Sequence, residues 1–405
     1  MLSPQSRRKR RRQGIIRRED DMKTDLSYLR DIYGKKAVDR AAAMLQDLEI
    51  EVPSWGFGRG GTRFGSYPEV GDARTVEDRI ERARQFHTRT GQGRRVAMHF
   101  PWDGETAEDI RGLAAALRRA GLEAGAVNSN LFTMRAGDGL DHRLRYGSLT
   151  NPDKEVREAS VRHNLDCVRI MRILGAKTLS LWLPDGTNSP GQMSFYDQAE
   201  RLDDAIRAIA RALRPGEKLL IEYKIFEPGM YSTAIPDYSR ALALCEIAGK
   251  NSGVLVDLGH HAPTTNIEQI VAFLLRAGRL GGFHFNDKKY ADDDLASGSI
   301  DPAQLFRIFV VILEAMARRL VRFKDIAFMI DESHQIKDAL EEMVESVTNI
   351  EIALAKAALV DFDKLWRHQR ACEISAADSV LHHAFHADVR PLVEAVRTER
   401  LRSRQ

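Results

Sequence analysis

Ile221-Glu222-Tyr223-Lys224 ends one apolar run of this chain, and Val256-Asp257-Leu258-Gly259-His260 ends the next. The pattern returns in Phe283-His284-Phe285-Asn286-Asp287 and in Met329-Ile330-Asp331-Glu332. Each run has the length and composition of a buried strand, and each places a carboxylate or an imidazole where the strand ends. Parallel neighbouring strands bring their carboxyl ends to one edge of a sheet. The sequence therefore predicts a shared site where these four runs end.

Short apolar runs alternate with longer amphipathic segments from about residue 47 onward, which indicates repeated βα units. Eight such units close most economically into a (β/α)₈ TIM barrel of the α/β class. No GxxxxGK[ST] pattern follows any of the runs, as a phosphate-binding loop in an open nucleotide-binding sheet would require. The predicted strands are Ile50–Val52, Arg95–Phe100, Leu122–Val127, Thr178–Leu183, Leu219–Tyr223, Gly253–Leu258, Gly282–Phe285 and Ile326–Ile330.

Polar caps and glycines mark the predicted helix boundaries between these strands. Short polar side chains satisfy the free N–H groups of a first turn, and glycine accepts the left-handed conformation that follows a last turn. The predicted N-terminal caps are Thr106 with Asp109, Asn151 before Pro152, and Asn266, and the predicted C-terminal glycines are Gly121, Gly175 and Gly249.

Three segments are expected along the chain. Residues 1–22 form a basic, disordered tail, and residues 23–337 form the barrel with a preceding helix over 23–46. Residues 338–405 form a C-terminal helical extension, because apolar residues recur there at helical spacing among many charged ones. Helical additions at both ends favour contacts between subunits, so a homo-oligomer is expected.

Charge is concentrated in the tail of this 405-residue chain. The first 22 residues carry eight basic and three acidic side chains, a balance of +5, so the rest of the chain carries −2 of the net +3. The run Arg7 to Arg12 could bind nucleic acid or an anionic surface, whereas such runs more often remain solvated. A nucleic-acid partner is not expected.

Hydrophobic residues make up 43% of the chain and charged residues 29%, which is ordinary for a globular protein. No secretory signal and no membrane-spanning apolar stretch is found. Three widely spaced cysteines argue against a disulfide framework, so we expect a reducing, cytoplasmic location.

Carboxylates and imidazoles at these strand ends are typical of a divalent cation site. Asp257 and His260 form a D-x-x-H pair whose carboxylate could bridge two ions. With Glu222 they suit Mn²⁺, Mg²⁺ or Co²⁺ better than an ion that prefers thiolates. His284, Asp292, Asp294 and Asp331 complete a ligand set large enough for two ions. Read alone, Asp292 to Asp294 would be a solvated acidic loop, but gathered carboxylates repel one another unless a cation is present.

Other side chains are predicted to face the same cavity. Lys224 lies two residues after Glu222 and supplies a fixed cation. His99 ends the second strand, where Asp103 is near enough to hold its tautomer, and it is a candidate for handling a substrate proton. Aromatic rings at strand ends are candidates for stacking on a sugar, although single rings are more often core residues; they are Trp55, Phe132 and Trp182.

Taken together, I-E-Y-K, V-D-L-G-H, F-H-F-N-D, the D-D-D loop at 292–294 and M-I-D-E-S-H resemble the bacterial L-rhamnose isomerases, which are relatives of the xylose isomerase-like metal-dependent barrels. The resemblance covers most of residues 25–400. It is closer to the broad-specificity rhamnose isomerases than to xylose isomerases, in which the first segment resembles E-P-K. The basic tail has no counterpart in this pattern.

The resemblance implies two divalent cations per subunit, foremost Mn²⁺, with Co²⁺, Mg²⁺ or Zn²⁺ as alternatives. It implies that Lys224 binds the carbonyl oxygen and that Asp331 and His99 join the catalytic group. It also implies that Trp55, His99, Phe132 and Trp182 contact the sugar, and that the assembly is a homotetramer. The implied ligands are Glu222, Asp257, His284 and Asp331 for a structural ion, and Asp257, His260, Asp292 and Asp294 for a catalytic one.

The implied activity is the conversion of L-rhamnose to L-rhamnulose in rhamnose catabolism, and of related aldoses such as L-lyxose and L-mannose. It would proceed by a metal-assisted 1,2-hydride shift, and proton transfer through a cis-enediol stays open as a second route. Two other functions also stay open: a metal-dependent sugar epimerase or phosphodiester hydrolase on the same barrel, and a nucleic-acid-binding or scaffold protein that uses the basic N-terminus.

Overall fold

The computed structural model describes residues 26–58, 72–137, 139–227, 231–332 and 336–403. The predicted basic tail lies outside these ranges, as do Ser333 and His334 of the last motif. The chain folds into two compact units. One contains Glu49–Asp301 and Ala315–Val347, and the other contains the described parts of Met1–Leu48, Pro302–Glu314 and Thr348–Gln405.

A closed barrel of eight parallel strands forms the centre of the first unit, in the order β1-β10-β9-β8-β5-β4-β3-β2. The predicted TIM barrel is confirmed, and each predicted strand overlaps an observed one. The barrel strands are β1 Ile50–Pro53, β2 Arg95–Phe100, β3 Glu123–Ser129, β4 Thr178–Leu181, β5 Lys218–Glu222, β8 Ser252–Asp257, β9 Leu280–Phe285 and β10 Ala327–Ile330. A small antiparallel hairpin, β6 Phe226–Glu227 and β7 Tyr231–Ser232, follows β5.

Helices connect the strands and continue into both chain ends. Most have one apolar face, which is buried, and one charged face. They are α1 Ser27–Tyr33, α2 Lys35–Asp47, α3 Val76–Thr90, α4 Ala107–Ala120, α5 Lys154–Leu174, α6 Phe195–Arg211, α7 Tyr238–Ala248, α8 Ile267–Ala277, α9 Pro302–Ala317, α10 Ala339–Ala358, α11 Phe362–Arg370, α12 Ile374–Phe385 and α13 Arg390–Arg402. None of the helices described here is long and apolar enough to cross a membrane.

Most of the helix boundaries that were predicted from polar caps and glycines are correct. The Thr106 side chain accepts a hydrogen bond from the Asp109 N–H, and the Asp109 side chain bonds back to the Thr106 N–H, as predicted. The prediction for Asn151 was wrong. Its side chain accepts from the Asp153 N–H at 2.9 Å and so forms a turn, and Asp153 itself caps α5 by accepting from the Glu155 N–H.

The predicted single helix over 23–46 is two helices in the described residues, α1 and α2. Gly34 separates them with a φ of 80°, a conformation that interrupts a right-handed helix and that glycine adopts without a steric cost. The helical C-terminal extension is present as the end of α10 and α11 to α13. Within the second unit, Arg400 bonds to the Glu351 carboxylate at 2.7 Å and to the Leu45 carbonyl at 2.6 Å.

One layer of the barrel interior determines where the site forms. Ala97, Ala126, Leu220, Leu255 and Met329 pack together there as a buried cluster. Successive side chains of a strand point to opposite faces, so the residue two positions later faces the same interior, one layer closer to the carboxyl ends. Those residues are His99, Asn128, Glu222, Asp257 and Asp331. On five strands, therefore, the buried apolar cluster, which we call the apolar floor, is followed by a layer of polar side chains.

Candidate metal centre

Four strands bring carboxylates and imidazoles to one point at the carboxyl end of the barrel. The Nδ1 atom of His284 lies 3.2 Å from Glu222 Oε1, 3.8 Å from Asp257 Oδ2 and 3.7 Å from Asp331 Oδ2. These residues come from β5, from β8 and β9, and from the end of β10. The predicted convergence is therefore what the structure shows, and ligand atoms of Asp257, His284 and Asp331 lie within 4.8 Å of one another.

His260 brings a second group of possible ligands to the same place. Its Nε2 atom lies 3.1 Å from Asp292 Oδ1 and 4.0 Å from Asp257 Oδ2. Ligand atoms of Glu222, Asp257 and His260 also lie within 4.8 Å of one another. Asp294 lines the cavity beside them. Asp257 belongs to both groups.

Glu222 lies close to an imidazole of each group, whereas the sequence predicted that it belongs to one group only. Its Oε1 atom is 3.3 Å from His260 Nδ1 and 3.2 Å from His284 Nδ1. The resemblance assigned it to the structural ion alone, together with His284. In this structure Glu222 faces both imidazoles, because β5 is the neighbour of β8 and stands next but one to β9.

Backbone and amide groups hold the possible ligands in place. His260 Nδ1 lies 3.0 Å from the Tyr223 carbonyl oxygen, which leaves Nε2 free to bind a cation. The Asn286 side chain donates to both oxygens of Asp257, at 3.0 and 3.1 Å, and to the Asp331 carbonyl at 3.0 Å. Asn286 belongs to the F-H-F-N-D motif, but no role was predicted for it. Its place two residues after His284, on the same side of the strand, was the available signal.

The pKa values in this cluster are strongly shifted, because carboxylates and imidazoles are gathered in a buried place. Burial, reinforced by neighbouring carboxylates and opposed by His284, raises the pKa of Asp331 to about 7. Burial and the Asp292 carboxylate raise the pKa of Asp294 well above its usual value. Burial acts to lower the pKa values of His260 and His284, but the surrounding carboxylates outweigh it and raise both to about 10.

These residues fit one or two divalent cations. A bound divalent cation would favour the deprotonated form of each of these buried carboxylates and imidazoles. Carboxylate oxygens and imidazole nitrogens are the donors that Mn²⁺, Mg²⁺ and Co²⁺ accept. The buried thiols Cys167 and Cys245 lie on helices α5 and α7 and not among these donors.

Lys224 lies at the edge of the cluster and contacts two carboxylates and an aromatic ring. The sequence predicted that Lys224 faces the cavity, but it did not predict all of these contacts. Its Nζ atom donates to Asp292 Oδ2 at 2.5 Å and to Glu227 Oε2 at 2.9 Å, and it lies 5.2 Å from the centre of the Trp182 ring. Burial acts to lower the pKa of Lys224, but Asp292 and Glu227 outweigh it and raise the pKa. Glu227 lies on the hairpin after β5, which sequence reasoning did not predict.

Aromatic rings form one wall of the cavity above these groups. The Phe132 ring packs edge-on against Trp182 at 5.1 Å and against Trp102 at 5.4 Å between ring centres. Trp55 instead donates its ring N–H to Asp331 Oδ1 at 2.8 Å. The cavity has a volume of about 280 Å³ and is lined by Trp55, His99, Trp102, Asn128, Asn130, Phe132, Trp182, Glu222, Lys224, His260, His284, Asp292, Asp294 and Asp331.

Comparison with known proteins gives the family of this barrel. The family model "Xylose isomerase-like TIM barrel" matches residues 85–312, more than half of the chain. The chain belongs to this family. The xylose isomerase-like barrel is also 38% identical over 384 residues to a "Probable sugar isomerase" of Rhizobium meliloti (strain 1021), with 94% of this chain and 88% of the relative covered. A "Probable sugar isomerase" of Mesorhizobium japonicum (strain LMG 29417 / CECT 9101 / MAFF 303099) is 38% identical over 94% of this chain and 87% of its own.

Solved structures share the fold of this xylose isomerase-like barrel at low sequence identity. A xylose isomerase domain protein from Alicyclobacillus acidocaldarius subsp. acidocaldarius is 19% identical with a TM-score of 0.51, over 76% of this chain and 99% of that one. An L-ribulose 3-epimerase is 16% identical with a TM-score of 0.50, over 80% and 97% of the two chains. These likenesses concern the fold alone.

His99 of the xylose isomerase-like barrel is a neutral group at the cavity edge. Burial, with the nearby charges of His284 and Arg79, lowers its pKa to about 3. The expectation that Asp103 holds the imidazole was wrong. The Asp103 carboxylate accepts from the His99 backbone N–H at 2.6 Å and from the Ser54 hydroxyl at 2.5 Å. Ser54 Oγ is the atom beside the ring, 3.3 Å from His99 Nδ1.

Metal binding to this xylose isomerase-like barrel is expected to depend steeply on pH. With pKa values near 10, His260 and His284 are protonated at pH 7 in the metal-free protein, so a cation must displace both protons. Each displaced proton changes the apparent affinity about tenfold per pH unit, so the two imidazoles alone are expected to raise the affinity for Mn²⁺ about 100-fold from pH 6 to 7. Calorimetric titration in two buffers of different ionisation enthalpy measures the protons released. Release close to zero would contradict the expectation.

Proposed function

We propose that this protein is an aldose–ketose isomerase that moves hydrogen between C2 and C1 of an open-chain sugar, with L-rhamnose as the leading substrate. One observation carries the proposal: carboxylates and imidazoles of four strands converge beside Lys224 and beneath an aromatic wall. The two relatives at 38% identity, each named a "Probable sugar isomerase", support the reaction class. L-lyxose and L-mannose are proposed as further substrates.

Two divalent cations, foremost Mn²⁺, are proposed to bind at this centre, with Co²⁺, Mg²⁺ or Zn²⁺ as alternatives. Glu222, Asp257, His284 and Asp331 would hold one, and Asp257, His260, Asp292 and Asp294 the other. When bound, the cations would acidify a sugar hydroxyl and withdraw charge from the carbonyl, which is worth several kcal/mol. Asn286 would keep the Asp257 carboxylate oriented, since it donates to both of its oxygens.

The remaining side chains would bind and orient the sugar. Lys224 is charged throughout the neutral pH range, because its pKa is raised, and would donate a hydrogen bond to the carbonyl oxygen. Neutral His99 can exchange a proton with a ring or hydroxyl oxygen during ring opening. Phe132 and Trp182 present ring surface to the C–H face of the sugar and exclude water.

A hydride shift from C2 to C1 requires no base at carbon, whereas the cis-enediol route requires one next to C2. We propose the hydride shift. An aldose carrying deuterium at C2 is expected to give a ketose that retains the label at C1. Mass spectrometry of the product measures the label, and loss of the deuterium to solvent water would contradict the hydride route.

Other functions of the barrel find less support in the site. An epimerase that used a pair of glutamates as acid and base would need two at the mouth, but among the described residues that line the cavity Glu222 is the sole glutamate. A phosphodiester hydrolase needs cationic side chains along its cleft to bind a polyanion, and Lys224 is the sole lysine or arginine among the described residues that line this cavity. The basic residues 7–12 lie outside the described part of the chain.

Ketose formation by EDTA-treated protein tests the proposal, with a panel of aldoses assayed before and after addition of Mn²⁺. We expect no conversion without metal and conversion of L-rhamnose after reconstitution. A shortened chain that starts at residue 22 is the matched control, since isomerase activity should survive loss of the basic tail. Formation of an epimer in place of a ketose, or conversion unaffected by EDTA, would contradict the proposal.

A further inference from the structure

Two asparagine side chains occupy the side of the cavity that faces away from the metal centre. Asn128 and Asn130 follow Ala126 of the apolar floor at two-residue intervals, so all three face the barrel interior. Asn128 is 9% exposed and Asn130 is 6% exposed, and both line the cavity. No role was predicted for either residue from the sequence.

The polar atoms on this side lack the partners that a purely structural amide would have. The Nδ2 atom of Asn130 is buried and has no hydrogen-bond partner in the described part of the chain, and the same holds for Nε1 of Trp182. Asn128 Nδ2 reaches the Met98 carbonyl only at 3.4 Å, beyond the usual upper limit of about 3.2 Å. Buried polar groups in native proteins are nearly always paired, so unpaired ones beside a cavity indicate a missing ligand.

The topology of the barrel places this pair across the cavity from the metal centre. Four neighbouring strands, β5, β8, β9 and β10, carry the carboxylates and imidazoles, and β1 to β4 form the other half. In the strand order, β3 lies opposite β9, the strand of His284. A sugar whose C1 and C2 lie at the metal centre therefore extends its other end toward Asn128 and Asn130.

We propose that Asn128 and Asn130 bind the hydroxyl groups of sugar carbons C4 and C5 and so determine which chain lengths the enzyme accepts. This inference rests on the proposed isomerase function. The aromatic wall of Phe132 and Trp182 contacts the C–H surface of the sugar, which is similar in every aldose. The amides of Asn128 and Asn130 instead form hydrogen bonds whose geometry depends on where the hydroxyl groups are. A site built to bond a hydroxyl rejects an analogue that lacks it more strongly than an apolar surface can.

The test compares long and short aldoses in Asn130→Ala and Asn130→Ser, each loaded with Mn²⁺. For L-mannose and L-rhamnose we expect kcat/KM to fall about 10- to 100-fold, mainly through KM. D-glyceraldehyde keeps the C2 configuration but has no C4 to C6, so its kcat/KM should stay within about twofold of the original value. Equal losses for long and short aldoses, or no loss for either, would overturn the inference.

Asn164 is the matched control for a buried asparagine. It is fully buried, its Oδ1 accepts from Ser129 Oγ at 2.8 Å, and its Nδ2 donates to the Ser160 carbonyl at 2.9 Å. Asn164→Ala should lower the thermal midpoint and leave the ratio of long to short substrates unchanged. A shift in that ratio as large as the one caused by Asn130→Ala would also overturn the inference.

A binding measurement distinguishes a failure of this inference from a failure of the proposed reaction. Trp55, Trp102 and Trp182 line the cavity, so tryptophan fluorescence reports occupancy without turnover. If the protein converts no aldose, the isomerase proposal fails, and titration of the Mn²⁺-loaded protein with L-mannitol and glycerol still tests the amides. Asn130→Ala should weaken L-mannitol binding about tenfold and leave glycerol binding unchanged. Unchanged L-mannitol binding would overturn the inference.

Discussion

Asp257→Asn is expected to lower kcat at least about 10³-fold, which corresponds to about 4 kcal/mol of lost transition-state stabilisation. Asp257 is fully buried and contributes a ligand atom to both groups of possible ligands. An amide at this position carries no charge to hold a cation. It also turns an N–H₂ group toward the Asn286 N–H₂ and the Gly259 N–H, which now donate to the carboxylate.

Metal content measured by mass spectrometry, together with kcat at saturating Mn²⁺, checks this result. Glu217→Gln is the matched control, because Glu217 is also a buried carboxylate but lies immediately before β5, at the opposite end of the barrel from the site, and pairs with Arg172 at 2.8 Å. We expect Glu217→Gln to reduce stability while metal content and kcat stay near their original values. An Asp257→Asn protein that bound its full complement of metal and kept its kcat would exclude the proposed centre.

The barrel and the convergence of its strand ends could be predicted because both follow from short-range patterns. Alternating apolar runs and amphipathic segments specified eight βα units, and eight parallel strands close in one way. Once the topology is fixed, a residue at the end of a strand must lie near its counterparts on neighbouring strands. Glu222, Asp257 and His284 could therefore be brought together without any structural information.

Residues whose roles depend on the path of a loop could not be predicted. Glu227 reaches Lys224 because a hairpin after β5 turns back toward the cavity. Ser54 stands between Asp103 and the His99 ring because Asp103 bonds to the backbone of His99. Sequence spacing placed Asp103 near His99 but gave no information on which atom it would contact.

Neighbouring residues in one motif also have different roles, which spacing can separate only in part. Glu332 follows Asp331 directly, but its carboxylate accepts a hydrogen bond from Ser346 Oγ at 2.6 Å, whereas Asp331 faces the metal centre. Alternation along a strand explains the difference. The same rule, applied two and four residues after Ala126, would have found Asn128 and Asn130 on the cavity side.

Replacement of Lys224 is expected to give the second large effect: Lys224→Met should lower kcat/KM about 10²- to 10³-fold. The substitution keeps an unbranched chain of similar length and removes a charged donor that lies 2.5 Å from Asp292 and 2.9 Å from Glu227. If the donor binds the carbonyl oxygen more strongly as charge develops there, the loss falls on kcat more than on KM. Because the pKa of Lys224 is raised, the wild-type lysine stays charged over the assay range, and the ratio of the two activities should not vary between about pH 6 and 9.

Glu227→Gln separates the charge of Lys224 from its orientation. Glutamine still accepts a hydrogen bond from Nζ, so the lysine keeps its place and Asp292 remains as its charged partner. We expect a loss of about tenfold or less in kcat/KM, as for removal of one charged partner at a half-exposed position. Steady-state kinetics of both variants across the pH range show whether the charge of Lys224 or its hydrogen bond to Glu227 contributes more to kcat/KM. A loss in Glu227→Gln equal to that in Lys224→Met would mean that the hairpin carboxylate, and not the lysine, acts on the substrate.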